Sequence, residues 1–176
     1  MECGRTEAKT PGLTKEKVIL IGNPNVGKSV IFNYLTGQYV TVSNYPGTTV
    51  EIATGTMSAQ GKRFQVVDTP GVNSLIPMSE DEKVTRDILL KEPRSYLVQV
   101  IDSKNLSRGL LISLQLLEMG LPFLILLNMW DEAKSRGIEI QTQILSQLLG
   151  VPVLKTVATR RKGVEKIKEN LQSQPL

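Results

Sequence analysis

Val18-Ile19-Leu20-Ile21-Gly22-Asn23-Pro24-Asn25-Val26-Gly27-Lys28-Ser29 is the stretch that decides how this chain is read. Its first four residues are apolar, rich in β-branched side chains and closed by glycine, the signature of a short buried strand. The next eight fit G-x-x-x-x-G-K-[ST], a loop whose glycines let backbone N–H groups turn inward around a polyphosphate. Val30-Ile31-Phe32-Asn33-Tyr34-Leu35 then read as a helix that stops near Gly37, so the positive end of that helix faces the same anion. In this frame Lys28 reaches the β- and γ-phosphates of a nucleotide, and Ser29 ligates Mg²⁺.

Outward from the loop, strand and helix signals alternate. Val50 to Ser58 and Arg63 to Val67 read as a hairpin around Ala59-Gln60-Gly61-Lys62, and Tyr96 to Ile101, Phe123 to Leu127 and Val151 to Leu154 as further strands. Ser79 to Lys91 reads as a helix with a capping box from Ser79 to Glu82. Leu106 to Met119 and Ile140 to Leu149 carry helical periodicity up to Gly120 and Gly150, and Val164 to Leu171 closes the chain as a last helix. With the first strand this predicts an α/β fold: a six-stranded, mostly parallel sheet with helices on both faces, the hairpin being the antiparallel exception. Ligands of such sheets lie at the carboxyl ends of the strands. We expect residues 1–14 to be a flexible tail and 15–176 one domain.

Composition narrows the chemistry. The chain has 176 residues, 40% hydrophobic, with a net charge of +4. Its longest strongly apolar run, Leu121 to Leu127, is too short to span a membrane, so the chain by itself reads as soluble. Cys3 is its one cysteine, and it has no histidine. That removes the commonest general base and transition-metal ligand, leaving positioning and electrostatics to carry any hydrolysis. The basic cluster Arg160-Arg161-Lys162 reads as a solvated loop in preference to a phosphate-binding patch.

The remaining motifs fall at strand ends. Asp68-Thr69-Pro70-Gly71 follows the strand ending at Val67, where an aspartate holds Mg²⁺ through water and Gly71 offers its N–H to a γ-phosphate. Asn128-Met129-Trp130-Asp131 follows the strand ending at Leu127. As N-x-x-D it reads guanine: the Asp131 carboxylate accepts from N1–H and the 2-amino group, while adenine would leave it unpaired. Asn128 is expected to tie the phosphate loop to the base loop. The same four residues also read as a helix start capped near Asp131. Thr156-Val157-Ala158 follows the last strand, and the Ala158 N–H is expected to meet guanine O6. In Ser43-Asn44-Tyr45-Pro46-Gly47-Thr48-Thr49-Val50-Glu51 one threonine should ligate Mg²⁺ when GTP is bound; Thr49 is preferred, with Thr48 second. This segment and Thr69 to Ser79 are the expected switches. Val72 stands where ordinary small GTPases carry a water-orienting Gln, so intrinsic hydrolysis should be slow. Asn25 either stiffens the phosphate loop or, as the resemblance of Gly22-x-Pro24-Asn25-x-Gly27-Lys28-Ser29 to potassium-stimulated GTPases implies, helps hold an activating K⁺.

Taken together, these motifs resemble the translation-factor-related branch of P-loop GTPases. The match narrows with Gly22 to Ser29, Asn44-Tyr45-Pro46-Gly47-Thr48-Thr49-Val50-Glu51 and Asp102-Ser103-Lys104-Asn105-Leu106 with Arg108. Asn128 to Asp131 with Arg136-Gly137-Ile138, and Leu149 to Val153, complete it. Over about residues 16–171 the chain is similar to the G domain of the FeoB family of bacterial ferrous iron transporters. The resemblance implies a GTP-binding and GTP-hydrolysing switch that uses Mg²⁺, with potassium as an activator through Asn25. It implies GTP and GDP as ligands, and helical and membrane permease domains of the same full-length chain as partners, with homo-oligomers compatible and nucleic acid not expected. It places the domain at the cytoplasmic face of the inner membrane. A soluble potassium-stimulated GTPase of the ribosome-assembly or RNA-modification type is the alternative.

Overall fold

The structure is a computed structural model that describes residues 16–37 and 40–171. The expected tail, residues 1–14, lies outside the described residues. Among the described residues seven strands and six α-helices follow in chain order: β1 (Glu16–Gly22), α1 (Lys28–Thr36), β2 (Val40–Asn44), β3 (Glu51–Ala59), β4 (Lys62–Asp68), α2 (Glu80–Lys91), β5 (Tyr96–Asp102), α3 (Leu106–Glu118), β6 (Phe123–Asn128), α4 (Trp130–Ser135), α5 (Thr142–Leu149), β7 (Val153–Lys155) and α6 (Glu165–Asn170). The strands form one sheet in the order β2-β3-β4-β1-β5-β6-β7. β3 runs antiparallel to β2 and β4, and every other pairing is parallel. Among the described residues no helix is long and apolar enough to cross a membrane.

The sequence of β1 shows why the sheet is covered on both faces. Val18 and Leu20 point into a core shared with Ile31, Phe32 and Leu35 of α1 and Ile167 of α6. Ile19 and Ile21 point the other way, against Ile88 and Leu89 of α2 and Ile112 and Leu116 of α3. All four β1 residues are 0% exposed, so the strand must be apolar at every position and not only at alternate ones. α2 opens as expected: Ser79 Oγ accepts from the Glu82 N–H at 3.3 Å. The return contact differs from a strict capping box, because Glu82 Oε2 accepts from the Met78 N–H at 2.9 Å, one residue before the cap.

The strand count departs from expectation: the sheet has seven strands, and β2 is the additional one. All five of its residues are exposed, so no alternation of buried and solvated side chains marks it. Its pairing with β3, from Val40↔Gly55 to Asn44↔Glu51, alone defines it. The last strand begins at Val153 and not at Val151. Pro152 has no N–H for the ladder and contributes only its carbonyl, which accepts from Ile125 N–H at 2.8 Å. The six-residue helix α4 was visible in the sequence only as the alternative reading of Asn128 to Asp131.

Candidate functional site: a nucleotide cleft at the carboxyl ends of the strands

β1 ends at Gly22, and from there to Ser29 the chain forms a cradle at the carboxyl edge of the sheet. A Cβ on Gly22 would collide with the Val100 carbonyl of β5, so the loop can leave the sheet here only without a side chain. Gly27 caps α1 in the left-handed region at φ 91°, and a Cβ there would run into the Asn128 amide. Asn25 also has a positive φ, 64°, a conformation asparagine tolerates better than most side chains. Lys28, the first residue of α1, is 8% exposed. Burial lowers its pKa, with Asp68 pulling the other way.

Ser29 Oγ donates to Asp68 Oδ2 at 2.8 Å, which joins α1 to the end of β4. The other Asp68 oxygen, Oδ1, is buried and has no hydrogen-bond partner among the described residues. Burial raises the Asp68 pKa, against the opposing pull of Ser29 and Lys28. A buried carboxylate oxygen with no donor is costly unless something positive meets it. A hydroxyl beside a carboxylate with a spare lone pair is a hard-oxygen donor set that suits Mg²⁺. Pro24, Asn25, Lys28, Ser29, Asp68, Thr69, Pro70 and Gly71 line an open cavity of about 520 Å³, and Glu51 and Asp81 stand at it as well.

Asn128 organises the base end. Its Nδ2 donates to the Val26 carbonyl at 2.9 Å. Its Oδ1 accepts from the Ala158 N–H at 3.0 Å and from the Thr156 hydroxyl at 3.3 Å. One side chain, 3% exposed, thus joins the phosphate loop to the loop after β7, as the sequence led us to expect. The Ala158 N–H, expected to be free for guanine O6, already has Asn128 as its partner. Asp131 lies in the first turn of α4, with its side chain 34% exposed and Arg160 Nε 3.7 Å from Oδ2. The helix start and the N-x-x-D motif are therefore one feature: Met129, at φ 56°, is the cap, and Trp130 N–H donates to the Thr156 carbonyl at 3.2 Å. Val157 is paired with Lys162 in both directions, which closes the loop carrying Arg160 and Arg161.

The two expected switches are placed differently. Thr48 is committed to its own turn, with Oγ1 donating to the Tyr45 carbonyl at 3.0 Å and accepting from Val50 N–H at 3.2 Å. Thr49 is not brought to Ser29 and Asp68; its hydroxyl donates to Glu80 Oε2 at 3.3 Å. Gly47, at φ 78°, forms the turn before them. In the second switch Thr69 Oγ1 donates to the Leu20 carbonyl at 2.8 Å, so that side chain is tied to the sheet. Gly71 is pressed on the phosphate loop, where an added Cβ would lie 2.7 Å from Pro24 Cα.

Sequence reasoning missed the bonds that hold these parts in place. Asn23 Nδ2 donates to the Val72 carbonyl at 3.1 Å, and Asn73 Oδ1 accepts from Arg108 at 2.8 Å. Gln115 of α3 holds the Ser74 hydroxyl and the Leu75 N–H, at 2.9 and 2.8 Å. Ser103 Oγ donates to the Asn128 carbonyl at 2.6 Å. The parallel neighbours β5 and β6 carried a usable signal, since whatever follows Asp102 must lie beside Asn128.

Residues 16–171 match the family model described as Ferrous iron transport protein B, FeoB_N. The chain is 41% identical over 160 residues to the Fe(2+) transporter FeoB of Escherichia coli strain K12, covering 89% of this chain and 21% of that protein. It therefore spans about a fifth of the length of such curated relatives. Its fold superposes on the FeoB G-domain from Methanococcus jannaschii with a TM-score of 0.79 at 41% identity, covering 90% of this chain and 96% of that one. The cytosolic domain of the T. maritima FeoB iron transporter, solved in a GDP form, gives a TM-score of 0.86 at 39% identity, over 90% of this chain and 63% of that one. The same domain in a GMPPNP form gives 0.85 with the same identity and coverage.

Proposed function

The chain belongs to the FeoB_N family, and from that premise we propose that it is a GTP-binding, GTP-hydrolysing switch domain. In this reading it regulates ferrous iron uptake through a membrane permease, with residues 15–176 as the G domain at the cytoplasmic face of the membrane. The observation that carries the nucleotide reading is the pairing of Ser29 with Asp68, whose second oxygen is left without a partner, in one cleft with Lys28. The relatives' GDP and GMPPNP forms support the same ligands here. Helical and permease domains of a longer chain are the proposed partners, self-association is compatible with the reading, and nucleic acid is not a partner in it.

Each residue then has a task. Backbone N–H groups from Asn25 to Lys28 would turn toward the phosphates, and the Lys28 ammonium would sit between the β- and γ-groups. The Ser29 hydroxyl and the Asp68 carboxylate, the latter through water, would hold Mg²⁺. Thr49 would join them after leaving Glu80. Held there, Mg²⁺ would offset the negative charge of the phosphates. Gly71 N–H takes the γ-phosphate. Water adds to the γ-phosphorus, the bond to the β-phosphate oxygen breaks, and GDP and phosphate result. At 1% exposure Val72 is packed into the core and cannot align that water, so turnover is slow.

Asn25 lines the cavity, and its side-chain amide oxygen would be a ligand for a monovalent cation there. K⁺ bound there would supply positive charge opposite the leaving group. Phosphate release is expected to run about tenfold faster in KCl than in NaCl of equal ionic strength, which is about 1.4 kcal/mol off the barrier. Asn25→Ala should remove that difference. An unchanged response in the variant would refute the role of Asn25, and absence of turnover in both salts would reduce the domain to a nucleotide sensor.

A further inference from the structure

We propose that Lys104 is a positioning residue of the base site: its ammonium holds the loop from Asn128 to Glu132 in the shape that presents Asp131 to guanine. The inference rests on the reading of Asp131 as the guanine carboxylate.

β5 and β6 end side by side, with Asp102 opposite Asn128. Beyond that pair, the turn of residues 103–105 folds across the back of the base loop. Asp102 fixes the turn, with Oδ1 accepting from Lys104 N–H at 2.9 Å and Oδ2 from Asn105 Nδ2 at 3.1 Å. From this fixed base Lys104 Nζ lies 3.0 Å from Met129 Sδ, 2.8 Å from Glu132 Oε2 and 3.2 Å from Asp102 Oδ1. An ammonium has three donors, and here it meets three acceptors. The side chain is only 12% exposed, while the Glu132 side chain is 53% exposed, so the lysine and not the glutamate is the fixed member of the pair.

These contacts fall on both sides of Asp131. Met129 precedes it by two residues and Glu132 follows it directly. Met129 is held at φ 56°, a conformation unfavourable for a long side chain, and needs support from outside its own segment. Asp102, Asp131 and Glu132 also bring three carboxylates to one loop, and Lys104 is the cation between two of them. Without it those two would repel, and the first turn of α4 would lose its tie to β5. Arg160 cannot replace it: its guanidinium approaches Asp131 from the other loop and its side chain is 66% exposed. Burial works against the Lys104 charge, but hydrogen bonds to Glu132 and Asp102 outweigh it and hold the pKa above its ordinary value.

A double-mutant cycle read by nucleotide dissociation tests this. Release of labelled GDP and IDP is followed for the unmodified domain, Lys104→Met, Asp131→Ala and the double variant, with Lys104→Arg as the conservative control. IDP lacks the 2-amino group and so makes one bond fewer to Asp131. Lys104→Met should release GDP about tenfold faster, the scale of one lost charge-assisted contact, and IDP by a smaller factor. In the Asp131→Ala background the same change should alter GDP release less than about twofold, because coupled residues are not additive. Lys104→Arg should stay near the unmodified rate. Equal acceleration for GDP and IDP that persists without Asp131 would overturn the proposal, as would an unchanged GDP rate in Lys104→Met. If Asp131→Ala alone leaves GDP release unchanged, the base assignment itself fails, and this role with it.

Discussion

Asp131→Asn is expected to weaken GDP and GTP binding at least about 100-fold while xanthine nucleotides become the better ligands, roughly 3 kcal/mol at 1.4 kcal/mol per tenfold. A carboxylate offers acceptors to both guanine N1–H and the 2-amino group. An amide offers one acceptor and one NH₂, and the NH₂ would face a guanine donor. Xanthine carries a carbonyl where guanine has the amine, so the NH₂ regains a partner. Asp131 can respond this way because it is 34% exposed, lies in the first turn of α4 and has its nearest cation no closer than 3.7 Å. Its neighbours Asn128 and Trp130 hold the backbone through bonds the substitution leaves alone. Competition of GDP against XDP for the two proteins measures the effect. A variant that still prefers GDP would show that the base is read elsewhere.

Asn128→Ala should cost about 2–4 kcal/mol of stability and abolish measurable nucleotide binding, because it strips partners from two buried backbone groups at once. The Val26 carbonyl and the Ala158 N–H both rely on this side chain, and Val26 and Ala158 are 4% and 5% exposed. For a domain of this size that loss is worth a fall in melting temperature of about 8 °C. The effect on binding exceeds the effect on folding because the same side chain sets the distance between the phosphate and base loops. Asn128→Asp is no rescue: it keeps an acceptor for Ala158 but turns a carboxylate oxygen toward the Val26 carbonyl. Thermal unfolding alongside GDP titration checks both halves, and a variant that melts normally and binds GDP would remove Asn128 from the centre of this account.

The two ends of the cleft differed in how much the sequence disclosed. Strand, loop and helix around Lys28 were legible because an apolar β-branched run, two forced glycines and a helical pattern lie in one contiguous stretch. The closeness of Ser29 and Asp68 followed once the start of the helix after β1 and the end of β4 were placed at the same edge of a parallel sheet. β2 was not legible, since an exposed edge strand has no buried face to leave a period of two. Thr49 was preferred over Thr48 from its place at the start of a strand with a following glutamate, a pattern that carries no sign of the hydroxyl's partner Glu80, which belongs to a helix far along the chain. The same holds for Asn23 with Val72 and Arg108 with Asn73: pairings across loops leave no local pattern. Lys104 sat in a quoted motif, yet its three acceptors come from two strands' ends and a helix, and only the assembled sheet brings them together.

In the proposed switch, nucleotide state moves two segments over an otherwise fixed sheet. Thr49 must leave Glu80 and Gly71 must engage a γ-phosphate, while β1, β5 and β6 stay put. Hydrogen exchange of the domain with Mg²⁺ and either GDP or a non-hydrolysable GTP analogue measures this directly. Residues 43–51 and 69–79 should become more protected with the analogue, with the core strands unchanged. Equal exchange in those two segments under both nucleotides would contradict it.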